Sequence, residues 1–326
     1  MTMKYVALAF AALALCATAL PAAAKDPVLY TSNSVQVVEA AQASIKEKSG
    51  INLGVVTGGS GVLMRRIEAE AQAPQGDLYW SASAGTLSAY EKFFEPYSSP
   101  ELSAVPQDLH YAGDLFQPTN IHLVTFMVNT DMLNGDEAPK SWSDLADPKW
   151  KGRVILADPA NAASGYAIAW GLSKLLDEAT YKAVVANLVI TGSSSEVQKG
   201  VAAGEYAVGL ALEWAAYSYV DGGQDNISIV YPSDGTFRLV DYAGIVKGGP
   251  STADARKAMD VLLSKEAQVE QLKLAFRRPS RGDIEISQYV KLPEMSAIKV
   301  FATDDIEASK SREQFLADWA KLTSAN

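Results

Sequence analysis

From Val28 onward the chain alternates short apolar runs with stretches whose apolar positions recur every three to four residues. Val28-Leu29-Tyr30 reads as a strand, Thr31-Ser32-Asn33-Ser34 as a polar loop, and Val35 to Lys48 as a helix closed by Ser49-Gly50. Ile51 to Val56 predicts a second strand, Thr57 to Gly61 a small-residue loop, and Val62 to Ala73 an amphipathic helix stopped by Pro74. Asp77 to Trp80 is a third strand, followed by Ser81-Ala82-Ser83 and a helix from Ala84 to Phe94. Strands alternating with helices predict a parallel sheet, and in such sheets ligands sit beyond the carboxyl ends of the strands.

The pattern then changes and resumes. Ile121 to Asn129 is a long strand-forming run, and Val154 to Ala157 is a strand leading through Asp158 to Ser164 into a helix that reaches Leu176. Leu188 to Thr191 leads through Gly192 to Ser195 into another helix, where Ser193 and Glu196 have capping-box spacing. Tyr206 to Trp214 is a buried strand, and Ile227 to Val246 holds two strands around a Pro-Ser-Asp-Gly turn. The segments Asp254 to Leu263, Lys265 to Leu274 and Arg312 to Thr323 are plain amphipathic helices.

The first residues belong to a different pattern. Lys4 precedes an apolar run from Tyr5 to Leu20, and Pro21-Ala22-Ala23-Ala24 supplies the small residues of a cleavage site, so residues 1–24 read as a signal peptide with a mature start near Lys25. The one cysteine, Cys16, lies inside it, so export without disulfides points to a bacterial periplasm. No later run is long enough for a membrane span. The formal charge of −10 includes Lys4, and its removal leaves 27 basic against 38 acidic side chains. That surface disfavours nucleic acid and anionic membranes, so an anion site has to rest on local dipoles and a few arginines.

Constellations for catalysis are sparse. His110 and His122 lie in no metal spacing, and Gly58-Gly59-Ser60-Gly61-Val62 fails the G-x-S-x-G pattern. Asp136 and Glu137 read as solvated loop charges, and Arg281-Gly282-Asp283 as a chance tripeptide. What remains is a set of small-residue loops at helix starts, at Ser60-Gly61, Ser164-Gly165 and Ser194-Ser195. Each helix start carries partial positive charge and bare N–H donors, which suits an anion.

The segments "LYTSNS", "GGSGVLMRRIEAEAQAPQGDLYWSAS", "YPSDGTFRLVDYAGIVKGG" and "FRRPSRGDI" together resemble the periplasmic solute-binding proteins of ABC importers, in the group that includes ferric-iron, phosphonate and sugar-phosphate binders. The resemblance spans nearly all of the mature chain. It implies the α/β, two-lobed type II architecture: each lobe a mainly parallel sheet flanked by helices, the lobes joined by crossover strands at Ile121 to Asn129 and Phe237 to Val246. Residues 25–125 and 246–326 would form lobe 1, and residues 126–245 lobe 2. It implies no enzyme activity and no cofactor, a monomer in the periplasm, and as partners a small anionic ligand and an inner-membrane permease.

On that map the expected cleft lining is Ser32, Asn33, Ser60, Gly61, Ser81, Ser83, Ser164, Gly165, Ser195, Glu213, Tyr217 and Thr236. Glu213 and Asp234 would accept from hydroxyl or amino groups of the ligand, Arg238 would reach an anion, and Trp80 would either stack on a ligand or pack in the core. Neutral hydroxyls and N–H donors favour a phosphoryl group. Ferric binders of the group use adjacent tyrosines; here Tyr217 and Tyr219 stand two apart, so the ferric alternative rests on Tyr217 and Glu213. A secreted hydrolase is the remaining alternative.

Overall fold

The computed structural model describes residues 25–135 and 137–324. The leader with Cys16, and Asp136, lie outside the described residues. In the first half the strands Gly54–Thr57, Val28–Thr31 and Leu78–Ser83 run parallel, and Leu78–Ser83 pairs antiparallel with the long strand Thr236–Val246. That strand pairs antiparallel with Gln117–Asn129, which continues into the second half and there pairs with Val208–Leu212. Val208–Leu212, Val154–Ala157 and Leu188–Thr191 complete the sheet in parallel. The two long strands are therefore shared by both halves, as expected of crossovers.

Each half is covered by helices on both faces, so its strands read as continuous apolar runs. In Val28–Thr31, Leu29 packs with Val37, Ile45, Trp80 and Met259 on one face, while Tyr30 packs with Met64, Tyr79 and Leu63 on the other. In the second half Phe126, Trp142, Trp150 and Leu156 form one face, and Met127, Ile155, Val197 and Val201 the other. Among the described residues no helix is long and apolar enough to cross a membrane.

Several expected elements are displaced. The second helix runs Ser60–Ala69, two residues earlier than expected, and the stretch from Ala84 is a four-residue α-helical turn followed by a 3-10 helix over Ser88–Phe93. The tail also divides. Helices Thr252–Leu263 and Lys265–Ala275 pack on Val35–Ser49, with Lys48 paired to Glu266 at 2.7 Å. Val300–Phe301 instead pairs with Thr236 and Phe237, and Trp319 of the last helix enters the second-half core, because Phe315, Trp319 and Leu322 form one apolar stripe.

Between those two elements the short helix Asp305–Lys310 touches both halves. It lies so close to Gly85 that a Cβ there would stand 2.4 Å from the Asp305 carbonyl oxygen, and the Tyr166 hydroxyl donates to the Ala308 carbonyl. Burial, with the charges of Asp304 and Asp241, raises the Asp305 pKa to about 6. A carboxyl raised in the folded state contributes stability below its ordinary value near 3.8 and loses that contribution as pH rises through about 6. Asp305→Asn therefore raises the melting temperature at pH 7.5, and the gain vanishes near pH 4; an equal gain at both values, read by calorimetry, contradicts this.

Candidate functional site

The strand register sets the two candidate rims toward each other. Ser83, at the carboxyl end of its strand, lies opposite Asp241, which lies opposite Asn120 on the crossover Gln117–Asn129. Leu212, at the carboxyl end of Val208–Leu212, lies opposite Val124 on the same crossover. The first-half strands thus end at the level of Asn120 and the second-half strands at the level of Val124. At about 3.3 Å per residue, roughly 13 Å of strand separates the two rims.

On the first rim the serines form one cluster. Ser32 Oγ is 2.9 Å from Ser60 Oγ and donates to the Ser81 carbonyl at 2.8 Å, and Ser60 and the Tyr79 hydroxyl donate to that same carbonyl at 3.2 and 3.1 Å. Ser81 adopts φ +92°, a region costly for a residue with a Cβ, and this turns its carbonyl toward the hydroxyls. Beside them Asn33 is only 5% exposed, yet its Oδ1 and Nδ2 both lack a hydrogen-bond partner. Buried polar side chains in a finished structure are nearly always satisfied, so an orphaned carboxamide here marks a place for a ligand.

On the second rim Ser164 Oγ lies 2.6 Å from Ser194 Oγ. Ser195, the residue expected there, is turned outward and lies 3.1 Å from Ser193 Oγ, because one helical step swings it away. Ser193 accepts from the Glu196 N–H at 3.4 Å, and Glu196 accepts from the Gly192 N–H at 3.0 Å, one residue short of the expected capping-box partner. Gly165 is buried where a Cβ would stand 2.2 Å from the Ala157 carbonyl oxygen, so it is a close-packing glycine, whereas Gly61 faces open space near Arg65.

On the second rim the helix Ser194–Ala202 is capped by Ser193, whereas Val35–Ser49, Ser60–Ala69, Ala163–Leu175 and Glu213–Asp221 have no side-chain cap. Their N-terminal N–H groups are left to solvent or to a ligand.

Between the rims lies a charged floor that sequence reasoning missed. Asp241 Oδ2 is 3.0 Å from His122 Nε2, 3.5 Å from Asn120 Nδ2 and 3.4 Å from Ser81 Oγ, with Arg277 Nη1 at 3.6 Å. Burial opposes ionisation of Asp241, but His122, Arg277 and Asn120 outweigh it and hold the carboxyl below its usual value. Burial lowers the Arg277 pKa from the usual guanidinium value, and Asp241 offsets part of that. The Arg277 guanidinium lies 5.8 Å from the Trp214 ring centre, so it reaches from the floor to the second rim. Arg277 Nε, His122 Nδ1 and Trp214 Nε1 are buried without partners. The available signal was Asn120 and His122 at period two within an apolar strand, which puts both on one face.

Several expected site residues lie elsewhere. Glu213 is 2% exposed and forms a two-pronged pair with Arg278 at 2.5 and 2.7 Å, with the Tyr231 hydroxyl donating to it as well. Arg278 is the register partner of Ile121, so it lies on the strand face opposite His122, and Glu213 follows it there. Tyr217 is buried with Leu272, Ile284 and Leu292, its hydroxyl accepting from the Lys291 N–H at 2.9 Å. Tyr219 diverges from it on the helix Glu213–Asp221, so the Tyr217 and Glu213 metal set does not form. Thr236 is fully buried and donates to the Val124 carbonyl, and Asp234 accepts from the Trp142 N–H at 3.1 and 3.0 Å. Trp80 is core, donating to Thr119 Oγ1 at 3.1 Å, and Arg238 pairs with Asp108 at 2.7 Å. Ser83 does end its strand at the first rim, but its side chain makes no cap bond to the turn that follows at Ala84.

A two-lobed α/β fold with facing strand ends, helix starts on both rims and a polar floor between them is the architecture of a solute-binding protein. The model of the bacterial extracellular solute-binding proteins matches residues 73–307, and the chain belongs to that family. A putative 2-aminoethylphosphonate-binding periplasmic protein of Salmonella typhi is 28% identical over 300 residues, covering 84% of each chain. The periplasmic binding protein AfuA of Actinobacillus pleuropneumoniae, solved with fructose-6-phosphate, superposes with a TM-score of 0.77 at 25% identity, over 92% of this chain and 99% of its own. Iron-bound HitA of Pseudomonas aeruginosa shares the fold, with a TM-score of 0.77 at 19% identity over 90% of this chain and 98% of its own. Proteins of this family are solute-binding components of ABC importers and act in the periplasm, handing a small ligand to a permease.

Proposed function

We propose that the chain is exported by a leader cleaved near Lys25, works as a monomer, and captures a small organic phosphonate or phosphorylated compound between the two rims. The observation that carries this reading is the buried Asn33 carboxamide, orphaned in the loop that also holds Ser32 of the serine cluster, together with the uncapped starts of the helices Val35–Ser49 and Ser60–Ala69. N–H and O–H donors without counter-charge solvate tetrahedral oxyanions well, and the helix starts add partial positive charge in a chain whose net charge repels anions. The 28% identity to a putative aminoethylphosphonate binder and the AfuA likeness support the same ligand class. Hinge bending of the two crossovers would bring Ser164, Ser194 and Trp214 onto the bound anion and exclude water. No bond is made or broken.

A ferric carrier is disfavoured because Tyr217 and Glu213 are both engaged elsewhere. The test is a melting-temperature screen of the purified protein with 2-aminoethylphosphonate, sugar phosphates, inorganic phosphate and ferric citrate. At a hundredfold excess over Kd a phosphonate or sugar phosphate adds about 2.7 kcal/mol and shifts melting by several degrees, and ferric citrate gives no visible charge-transfer band. A coloured, stoichiometric iron complex with no shift from any phosphorus compound overturns the reading.

A further inference from the structure

We propose, resting on the reading above, that the ligand carries a cationic amino group beside its anionic end, and that Asp241 is the residue that selects for it. The sequence offered Glu213 and Asp234 as acceptors for such a group, and both are committed elsewhere, to Arg278 and to the Trp142 N–H. Asp241 is the acid left on the floor between the rims. His122, Asn120, Ser81 and Arg277 all approach its Oδ2, and Oδ1 accepts no hydrogen bond from any described residue. One carboxylate oxygen is thus fixed by the protein and the other is presented free.

The charge balance agrees. Arg277, at 3.6 Å, stands beyond hydrogen-bond distance and does not close the pair, while its Nε remains without a partner. A ligand bearing both signs satisfies each: its oxyanion accepts from Arg277 and the Asn33 carboxamide N–H, and its ammonium donates to Asp241 Oδ1. Ser81 ties the two poles together, its carbonyl gathering the Ser32 and Ser60 hydroxyls while its own hydroxyl reaches Asp241. The two ligand charges are therefore only a few atoms apart, as in a short ω-aminoalkylphosphonate. A ligand without the amine leaves Asp241 desolvated and half-satisfied when the lobes close, which is a cost the aminated compound avoids.

The test is calorimetric titration of the mature protein at pH 7.5 with 2-aminoethylphosphonate and with ethylphosphonate, which keeps the phosphonate and lacks the amine. The wild type binds the aminated compound about 30-fold more tightly, the size of one charge-assisted hydrogen bond. Asp241→Asn brings the ratio to within about 3-fold, and Asp241→Glu restores part of the preference. Damage to the site as a whole would weaken both ligands together, so the ratio is the readout. Equal binding of the two compounds by the wild type overturns the inference and leaves the phosphonate reading standing. A preference retained by Asp241→Asn overturns the role of Asp241, and failure of the wild type to bind either compound overturns this inference, while the wider phosphorus-ligand reading stands or falls on the melting screen.

Discussion

Gly165→Ser lowers the melting temperature by about 6 °C or more, whereas Gly61→Ser leaves it nearly unchanged and weakens ligand binding alone. Both glycines precede the body of a rim helix in the sequence, but their surroundings differ. A Cβ at Gly165 would stand 2.2 Å from the Ala157 carbonyl oxygen and 2.9 Å from its carbonyl carbon, backbone atoms that no rotamer change can move. The helix Ala163–Leu175 would have to lift from the strand Val154–Ala157, at a cost of about 3 kcal/mol, toward the upper end for overpacking. At Gly61 the nearest atom is Arg65 Nη1 at 3.6 Å, the far end of a flexible side chain. There a serine fits the fold but stands over the N–H groups that an anion approaches. Paired thermal melts and phosphonate titrations check this; equal melting temperatures for the two variants would refute the packing account.

Glu213→Ala costs about 3–5 kcal/mol, because it strands a charged guanidinium in the interior. Arg278 is 1% exposed and takes both prongs of its carboxylate partner from Glu213. The pair joins the start of the helix Glu213–Asp221 on the second half to the tail strand Arg278–Pro279 on the first, so its loss loosens the packing behind the crossovers as well. Replacing both partners together, as Glu213→Leu with Arg278→Met, should recover most of the loss, since two apolar side chains need no counter-charge. Urea melts of the two variants decide it. A single substitution costing under about 1 kcal/mol would mean that water reaches the site, contrary to the burial.

The alternation of strands and helices was legible because it depends on local periodicity, and the rim loops followed from it, since a loop between a strand and the next helix falls at a carboxyl end. Ser32, Ser60 and Ser81 come together on that account. Glu213, Tyr217 and Thr236 were misread for a different reason. Each sits near a rim in sequence, but the face it presents depends on a pairing partner far along the chain: Arg278 for Glu213, Lys291 for Tyr217 and Val124 for Thr236. The helix Glu178–Asn187, announced by Asp177 accepting from the Ala179 and Thr180 N–H groups at 3.0 Å, carries too weak an apolar stripe to stand out.

The sequence by itself determined the alternating α/β class and the small polar loops, because strand and helix periods and turn residues act within a few positions of one another; the crossover role of the two long strands followed from the family resemblance. Only the tertiary structure decided which side chains share the floor. Asp241, His122 and Arg277 come from two antiparallel crossovers and a distant tail, and long-range register, which no local pattern encodes, brings them together.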